Sequence, residues 1–128
     1  MRLIAMLLLT FGVGCSMQSY AQSGHWYSLT TNEQFVCEML LAPEQATNIV
    51  VQYSEKVVLG FKSDVPVSYA AQNRDLYVTL RSTNTFGKIS SGLGGATRFN
   101  GSPEGIHLLV TSDFSFPVRI VIYREAKK

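Results

Sequence analysis

Apolar and polar residues alternate along much of the chain from residue 56 onward, which predicts β-strands with one buried face. The pattern is clearest in four segments: 57–61, 76–80, 106–111 and 117–124. A strand over 65–69 is also predicted, and Pro66 should place it at a sheet edge because proline has no amide donor. The last two segments should form a hairpin around 112–116. We therefore expect sequential antiparallel strands.

The first half of the mature chain is less regular. Residues 25–30 include aromatic and other β-favouring residues and predict a first strand, followed by a turn at 31–33. The stretch 35–41 fits a strand and a helix equally well. For 43–53 a helix is favoured, because Pro43 suits a first helical position and an acid follows it, although Ile49-Val50-Val51 argues for a strand.

These elements predict a β-rich α+β fold, with a mostly antiparallel sheet of about six to seven strands and one early helix at about 43–53. If that helix is absent, the same strands would form an all-β sandwich or a small barrel. Both versions bury one set of apolar positions: Val57, Leu59, Leu76, Val78, Leu80, Leu108, Val110, Ile120 and Ile122.

The N-terminus has the pattern of an export signal. Arg2 precedes the apolar run 3–9, and Ser19 and Ala21 supply small residues before a cut ahead of Gln22. The run is shorter than the roughly 20 residues of a transmembrane helix. We expect 1–21 to be a signal peptide, 22–128 to be a single globular β-rich domain, and the protein to be periplasmic or secreted.

A second processing route overlaps the first. Gly12-Val13-Gly14-Cys15 resembles a bacterial lipobox, although Gly12 stands where leucine is usual. This resemblance implies a lipoprotein signal over 1–14, a lipidated Cys15 and an outer-membrane lipoprotein. Only in that case would a membrane be a partner.

Cys37 is the sole cysteine of a chain cut after Ala21. Its apolar neighbours predict a buried free thiol. The odd cysteine count leaves an intermolecular disulfide as the alternative.

The segment 83–105 is the longest stretch without periodicity, and long irregular loops tend to be functional or disordered. Its interface-type residues are the candidate partner-binding set: Ile89, Leu93, Arg98 and Phe99. A flexible connection is the alternative for the loop, and folding back onto the core edge is the alternative for Phe99.

Nucleotide, nucleic-acid and metal sites lack their sequence signatures. Gly87-Lys88 is followed by Ile89 where a phosphate loop needs serine or threonine, so no cofactor is expected. The sequence has no cluster of lysine and arginine residues that could bind the phosphates of a nucleic acid, so nucleic-acid binding is not expected. His25 and His107 have no further ligands at metal-binding spacing, so no metal is expected.

Catalytic signatures are equally sparse. Ser90 or Ser91, His107 and Asp113 are the right residue types for nucleophilic catalysis, but the Gly-x-Ser-x-Gly elbow is absent and no spacing singles out a carboxylate pair. Trp26 is expected to plug one end of the core, with sugar stacking or partner anchoring as the alternative.

The sequence thus favours an exported, non-catalytic binding protein of the bacterial cell envelope that acts through contact with another envelope or secreted protein, as an inhibitor or accessory factor. One alternative is a small envelope hydrolase with an unrecognised site. The other is a lipid-anchored structural envelope protein. Partner identity and oligomeric state are not encoded in any motif.

Mass measurement of the exported protein tests the two processing routes. We expect an unmodified N-terminus at Gln22, because the Ser-Tyr-Ala site meets the cleavage pattern more fully than the lipobox does. A mature chain starting at a lipid-modified Cys15 would contradict this prediction.

Overall fold

The structure, a computed structural model, describes residues 26–43 and 45–126. Within these ranges the chain forms eight strands and one short helix. In chain order the elements are β1 (Glu33–Leu41), β2 (Ala46–Val51), β3 (Val57–Ser63), α1 (Val67–Gln72), β4 (Val78–Ser82), β5 (Lys88–Ser91), β6 (Gly94–Phe99), β7 (Ile106–Ser112) and β8 (Val118–Glu125).

The strands form two antiparallel four-stranded sheets. Sheet A has the order β1-β8-β3-β6, and sheet B has the order β2-β7-β4-β5. Buried side chains from both sheets make up one hydrophobic core. The prediction of a β-rich, antiparallel fold is confirmed, in its sandwich form.

The core follows the alternation of the strands. Eight of the nine predicted core positions are buried, and the ninth, Leu76, is partly buried against the core. Full burial of one such side chain stabilises the fold by about 1.5–3 kcal/mol. The alternation therefore identified the inward faces correctly.

The predicted helix over 43–53 is wrong in the residues described there, and Glu44 lies outside them. Ala46–Val51 forms strand β2, which pairs along its length with β7. Ile49 and Val51 point into the core. The β-branched run decided the conformation, because such side chains fit a pleated surface better than a helix. The ambiguous stretch 35–41 is likewise a strand, with a register irregularity between Phe35 and Cys37.

The predicted edge strand over 65–69 is also wrong. Pro66 is extended, with φ −60° and ψ 138°, and directly precedes helix α1. Proline cannot donate to a sheet ladder, and its fixed φ suits the start of a helix. The following residues include Ala70 and Ala71, which favour a helix.

The last two strands do not form the predicted hairpin. β7 pairs with β2 and β4 in sheet B, whereas β8 pairs with β1 and β3 in sheet A. The link between them carries Phe114, which is fully buried. This residue holds the connection against the core as the chain passes from one sheet to the other. Among the described strands, β4 and β5 are the only consecutive pair that is hydrogen-bonded in a sheet.

The supposed loop over 83–105 contains two further strands. β5 joins sheet B and β6 joins sheet A, so the two strands and their turn form an arm that connects the sheets along one side. Period-two patterning was hidden because Gly94 and Gly95 carry no side chain to mark a face. The interpretation as an irregular loop is therefore wrong.

Gly87, just before β5, is required by its backbone and its surroundings. Its φ is +147°, and a methyl group there would overlap the Phe99 ring. We expect Gly87→Ala to lower the free energy of unfolding by about 2 kcal/mol or more, because backbone strain adds to overpacking. Urea denaturation measures the change.

Gly92→Ala is the matched control for that substitution. At Gly92 a methyl group would meet only the Leu76 carbonyl oxygen at 3.4 Å and Ala70 Cβ at 3.9 Å, which are ordinary contacts. We expect a change within about 0.5 kcal/mol. If Gly87→Ala and Gly92→Ala lower the free energy of unfolding equally, glycine is not specifically required at position 87.

Candidate functional site

The structure separates the four residues predicted to bind a partner. Ile89 and Phe99 are 5% and 0% exposed and belong to the core. Leu93 and Arg98 are exposed. The alternative in which Phe99 folds onto the core is confirmed, and only Leu93 and Arg98 are available to a partner on the folded chain.

Leu93 lies on one wall of an apolar groove whose other wall is helix α1. We call it the helix groove; its volume is about 520 Å³. Its principal lining residues are Val67, Ala70, Ala71, Arg74, Leu76 and Leu93. Val67 is 71% exposed and Leu93 is 39% exposed, so two large apolar side chains face solvent at one site.

Aromatic packing fixes the helix wall of this groove. Tyr69 of α1 packs edge-on against Phe116, with ring centroids 5.0 Å apart, and lies 5.9 Å from Phe114. Because Phe114 is fully buried, these contacts join the short helix to the core. Asn73 ends the helix, and its Nδ2 donates to the Tyr69 carbonyl oxygen at 2.9 Å.

Hydrogen bonds fix the turn that carries Leu93. Ser91 Oγ accepts from the Gly94 amide at 3.1 Å and from the Leu93 amide at 3.4 Å. Ser63 donates to the Leu93 carbonyl oxygen through its amide at 2.9 Å and its hydroxyl at 2.8 Å. Both walls are therefore preformed, which lowers the ordering cost of binding. The Ser91 hydroxyl is engaged in this turn.

Arg98 lies in a different groove, of about 560 Å³, near one end of sheet A. Arg124 also lines it, and the guanidinium carbon is 5.6 Å from the centre of the Tyr53 ring. Burial raises the pKa of the Tyr53 phenol despite the opposing charge of Arg124. Glu55 and Glu125 line the same groove, so its charges are mixed.

The outer face of sheet A is covered at its centre, whereas Leu40, Arg98 and Arg119 on the same face are exposed. Val121 and Tyr123 of β8 alternate with core residues and point outward, yet they are only 0% and 6% exposed. The segment 26–30 is tied to this face: Trp26 Nε1 donates to Glu38 Oε2 at 2.8 Å. Lys62 Nζ donates to the Ser28 carbonyl oxygen at 2.6 Å.

These contacts correct two predictions. Residues 26–30 form no strand, and His25 lies outside the described residues. Trp26 is half-buried against β1 and does not belong to the core cluster, so it is not the predicted core plug. Its ring lies edge-on to Tyr27, whose phenol pKa is raised by burial and by the Glu38 charge.

The candidate catalytic residues do not converge. Ser90 stands in register with Thr79 and through it with Thr111, which is four residues along β7 from His107. At the rise of a strand this is a separation of about 13 Å. Asp113 follows β7, a further two residues away, and its carboxylate accepts from the Tyr77 amide at 3.2 Å. Ser90, His107 and Asp113 therefore do not form a triad.

Neither a metal-ligand cluster nor a membrane-spanning helix occurs in the part of the chain that the structure describes. No group of three or more His, Cys, Asp or Glu side chains could hold a metal ion there. No helix in those ranges is long and apolar enough to cross a membrane. The predicted signal 1–21 and Cys15 lie outside the described residues.

Cys37 is fully buried, as predicted, but it is not a free thiol. It is disulfide-bonded in the structure, which contradicts the expected state of its sulfur. A mature chain starting at Gln22 would lack Cys15, the only other cysteine of the sequence. In such a chain Cys37 could form a disulfide only with a second molecule.

Comparison with known proteins gives no family. No protein-family model, curated protein or solved structure matches this chain. The function proposed for it therefore rests on its own residues.

Glu33 forms an ion pair with Lys62, and the two side chains meet at 2.9 Å. The Lys62 ammonium also holds segment 26–30 on sheet A, because it donates to the Ser28 carbonyl oxygen. Burial alone would raise the pKa of the Glu33 carboxyl, but hydrogen bonds from the Thr30 amide and Lys62 outweigh it and lower that pKa. The stabilisation is therefore present above the unfolded pKa, about 4.3, and is lost as pH falls through the lower folded value.

We expect Glu33→Gln to lower the free energy of unfolding by about 0.5–1 kcal/mol at pH 7, with the difference shrinking below about pH 4. Denaturant titrations across this pH range measure it. Glu104→Gln, on the exposed loop before β7, removes an equal charge and should change little. A Glu33→Gln effect that does not vary with pH would contradict the ion-pair assignment.

Proposed function

We propose that this chain is an exported, non-catalytic binding protein of the bacterial cell envelope. It acts by contact with another envelope or secreted protein, as an inhibitor or accessory factor. The observation that carries the proposal is the pairing of exposed Val67 and Leu93 on opposite walls of the helix groove. The pattern of 1–21 supports export.

The occupant that fits the helix groove is a short apolar segment of the partner. Leu76, Ala70 and Ala71 extend the apolar lining beyond the two exposed residues, while Arg74 supplies a charge. An apolar centre with polar groups around it is the usual composition of a protein interface. The groove is also open, which suits a side chain or two of a partner presented from outside.

The expected binding energy is concentrated on two side chains. Val67 and Leu93 are 71% and 39% exposed, so a partner that buries what remains exposed would recover only part of the stabilisation, about 1.5–3 kcal/mol, that full burial of each side chain gives. Because α1 and the β5–β6 turn are held by hydrogen bonds and aromatic packing, little of this gain is lost in ordering the groove. A modest contact area can therefore give specific binding.

Crosslinking in the cells that produce the protein tests the proposal. A photo-crosslinking phenylalanine analogue replacing Leu93 should give one discrete adduct in the exported fraction. The same adduct should disappear when Val67→Asp is added. Val67 begins α1, where an acidic residue is tolerated, so the fold should be kept.

The partner recovered from that adduct is then titrated in purified form. We expect Val67→Asp and Leu93→Asp each to weaken its affinity by at least about tenfold, because a carboxylate would be buried against apolar groups. Leu40→Asp is the matched control: Leu40 is 64% exposed but lies on β1, away from the groove. Equal adducts at positions 40 and 93, or unchanged affinity of both groove variants, would overturn the proposed site.

A further inference from the structure

The outer face of sheet B is open to solvent, and no segment covers its centre as residues 26–30 cover that of sheet A. Its inward positions fill the core, and the alternate positions on the same strands point outward. Four of the charged or polar ones are exposed: Asn48, Arg81, Lys88 and Ser90. His107, Leu109 and Thr111 on the central strand β7 are half-buried.

Two positive charges face each other on this surface. Arg81 of β4 and Lys88 of β5 are direct cross-strand partners. Like charges in that position destabilise a sheet. Neither side chain makes a hydrogen bond or ion pair with any residue that the structure describes. The sequences of β2, β4, β5 and β7 contain no aspartate or glutamate.

Neutral hydrogen-bonding groups surround the two charges. Arg81 pairs with Leu109 on its other side, and Leu109 pairs with Asn48, so these residues and Lys88 form one row across the sheet. The neighbouring row consists of Ser90, Thr79, Thr111 and Ala46. The Thr79 hydroxyl donates to Ser90 Oγ at 3.5 Å, which leaves the Ser90 hydroxyl proton available to a ligand. The face thus combines positive charge, hydroxyl donors and one central apolar side chain.

We propose that this open face of sheet B binds an acidic segment of a partner protein, with Arg81 and Lys88 receiving its carboxylates. Charge complementarity identifies the partner, because an incoming carboxylate pairs two cations that otherwise repel each other. The hydroxyls of Ser90 and Thr111 donate to the same segment, and Leu109 supplies an apolar contact. The helix groove is a separate surface, and this inference does not depend on it.

The proposal predicts opposite effects of one substitution on stability and binding. Lys88→Glu places an acid opposite Arg81, so the melting temperature should rise by about 1–4 °C. The same variant should bind a fluorescent ten-residue glutamate peptide about fivefold more weakly in low salt. Fluorescence anisotropy measures the affinity, and the double variant Arg81→Glu/Lys88→Glu should lose it by more than tenfold.

Lys56→Glu makes the same change in net charge outside sheet B and serves as the control. If it weakens peptide binding as much as Lys88→Glu does, binding follows net charge and the proposal fails. Tighter binding of a ten-residue oligothymidylate or of anionic phospholipid vesicles than of the peptide would overturn the acidic-protein assignment. Leu93→Asp should leave peptide affinity unchanged, so failure at this face and failure at the helix groove are distinguishable.

Discussion

The fold depends on the burial of two central strands that are neighbours in sequence but belong to opposite sheets. Ile106, Leu108 and Val110 of β7 are fully buried, and so are the inward residues of β8. Each strand has a hydrogen-bonded neighbour on both sides, so both sheets are organised around this contact. A hairpin between β7 and β8 would have put both apolar faces on one sheet. Placing them in different sheets lets the two faces bury each other, with Phe114 filling the connection.

The outward residues of these same two strands explain why the two outer faces differ. β8 presents Val121 and Tyr123, which are apolar enough to need cover, and the segment 26–30 is hydrogen-bonded across that side. β7 presents His107, Leu109 and Thr111, two of which are polar and all of which are half-buried. The centre of sheet B therefore needs less cover than that of sheet A. The Lys62 ammonium completes the cover, because it joins the Ser28 carbonyl oxygen, Glu33 and the Tyr123 ring, whose centre is 5.6 Å away.

Local pattern predicted the inward faces but not the strand partners. Alternation in 76–80 and 106–111 reports which side chains are buried, and this holds whichever strand lies alongside. Pairing depends on contacts between residues far apart in sequence, so the expected sequential order failed. Two prolines lead to wrong predictions. Pro43 suggests a helix, whereas the β-branched run after it forms β2. Pro66 suggests an edge strand, whereas it directly precedes α1. In both places the residues after the proline decided the outcome.

The candidate site shows the same division between what a sequence reveals and what packing decides. The segment 83–105 attracts attention in the sequence for an irregularity that it lacks, because its glycines permit a close corner between two strands. Once β5 and β6 form, Ile89 and Phe99 turn into the core and leave the surface. Leu93 at the corner and Lys88 at the start of β5 are two of the side chains that the arm exposes. Each is energetically unsatisfied within the described residues, one as apolar surface in water and the other as a cation opposite a cation. The two proposed contacts with a partner rest on these exposures.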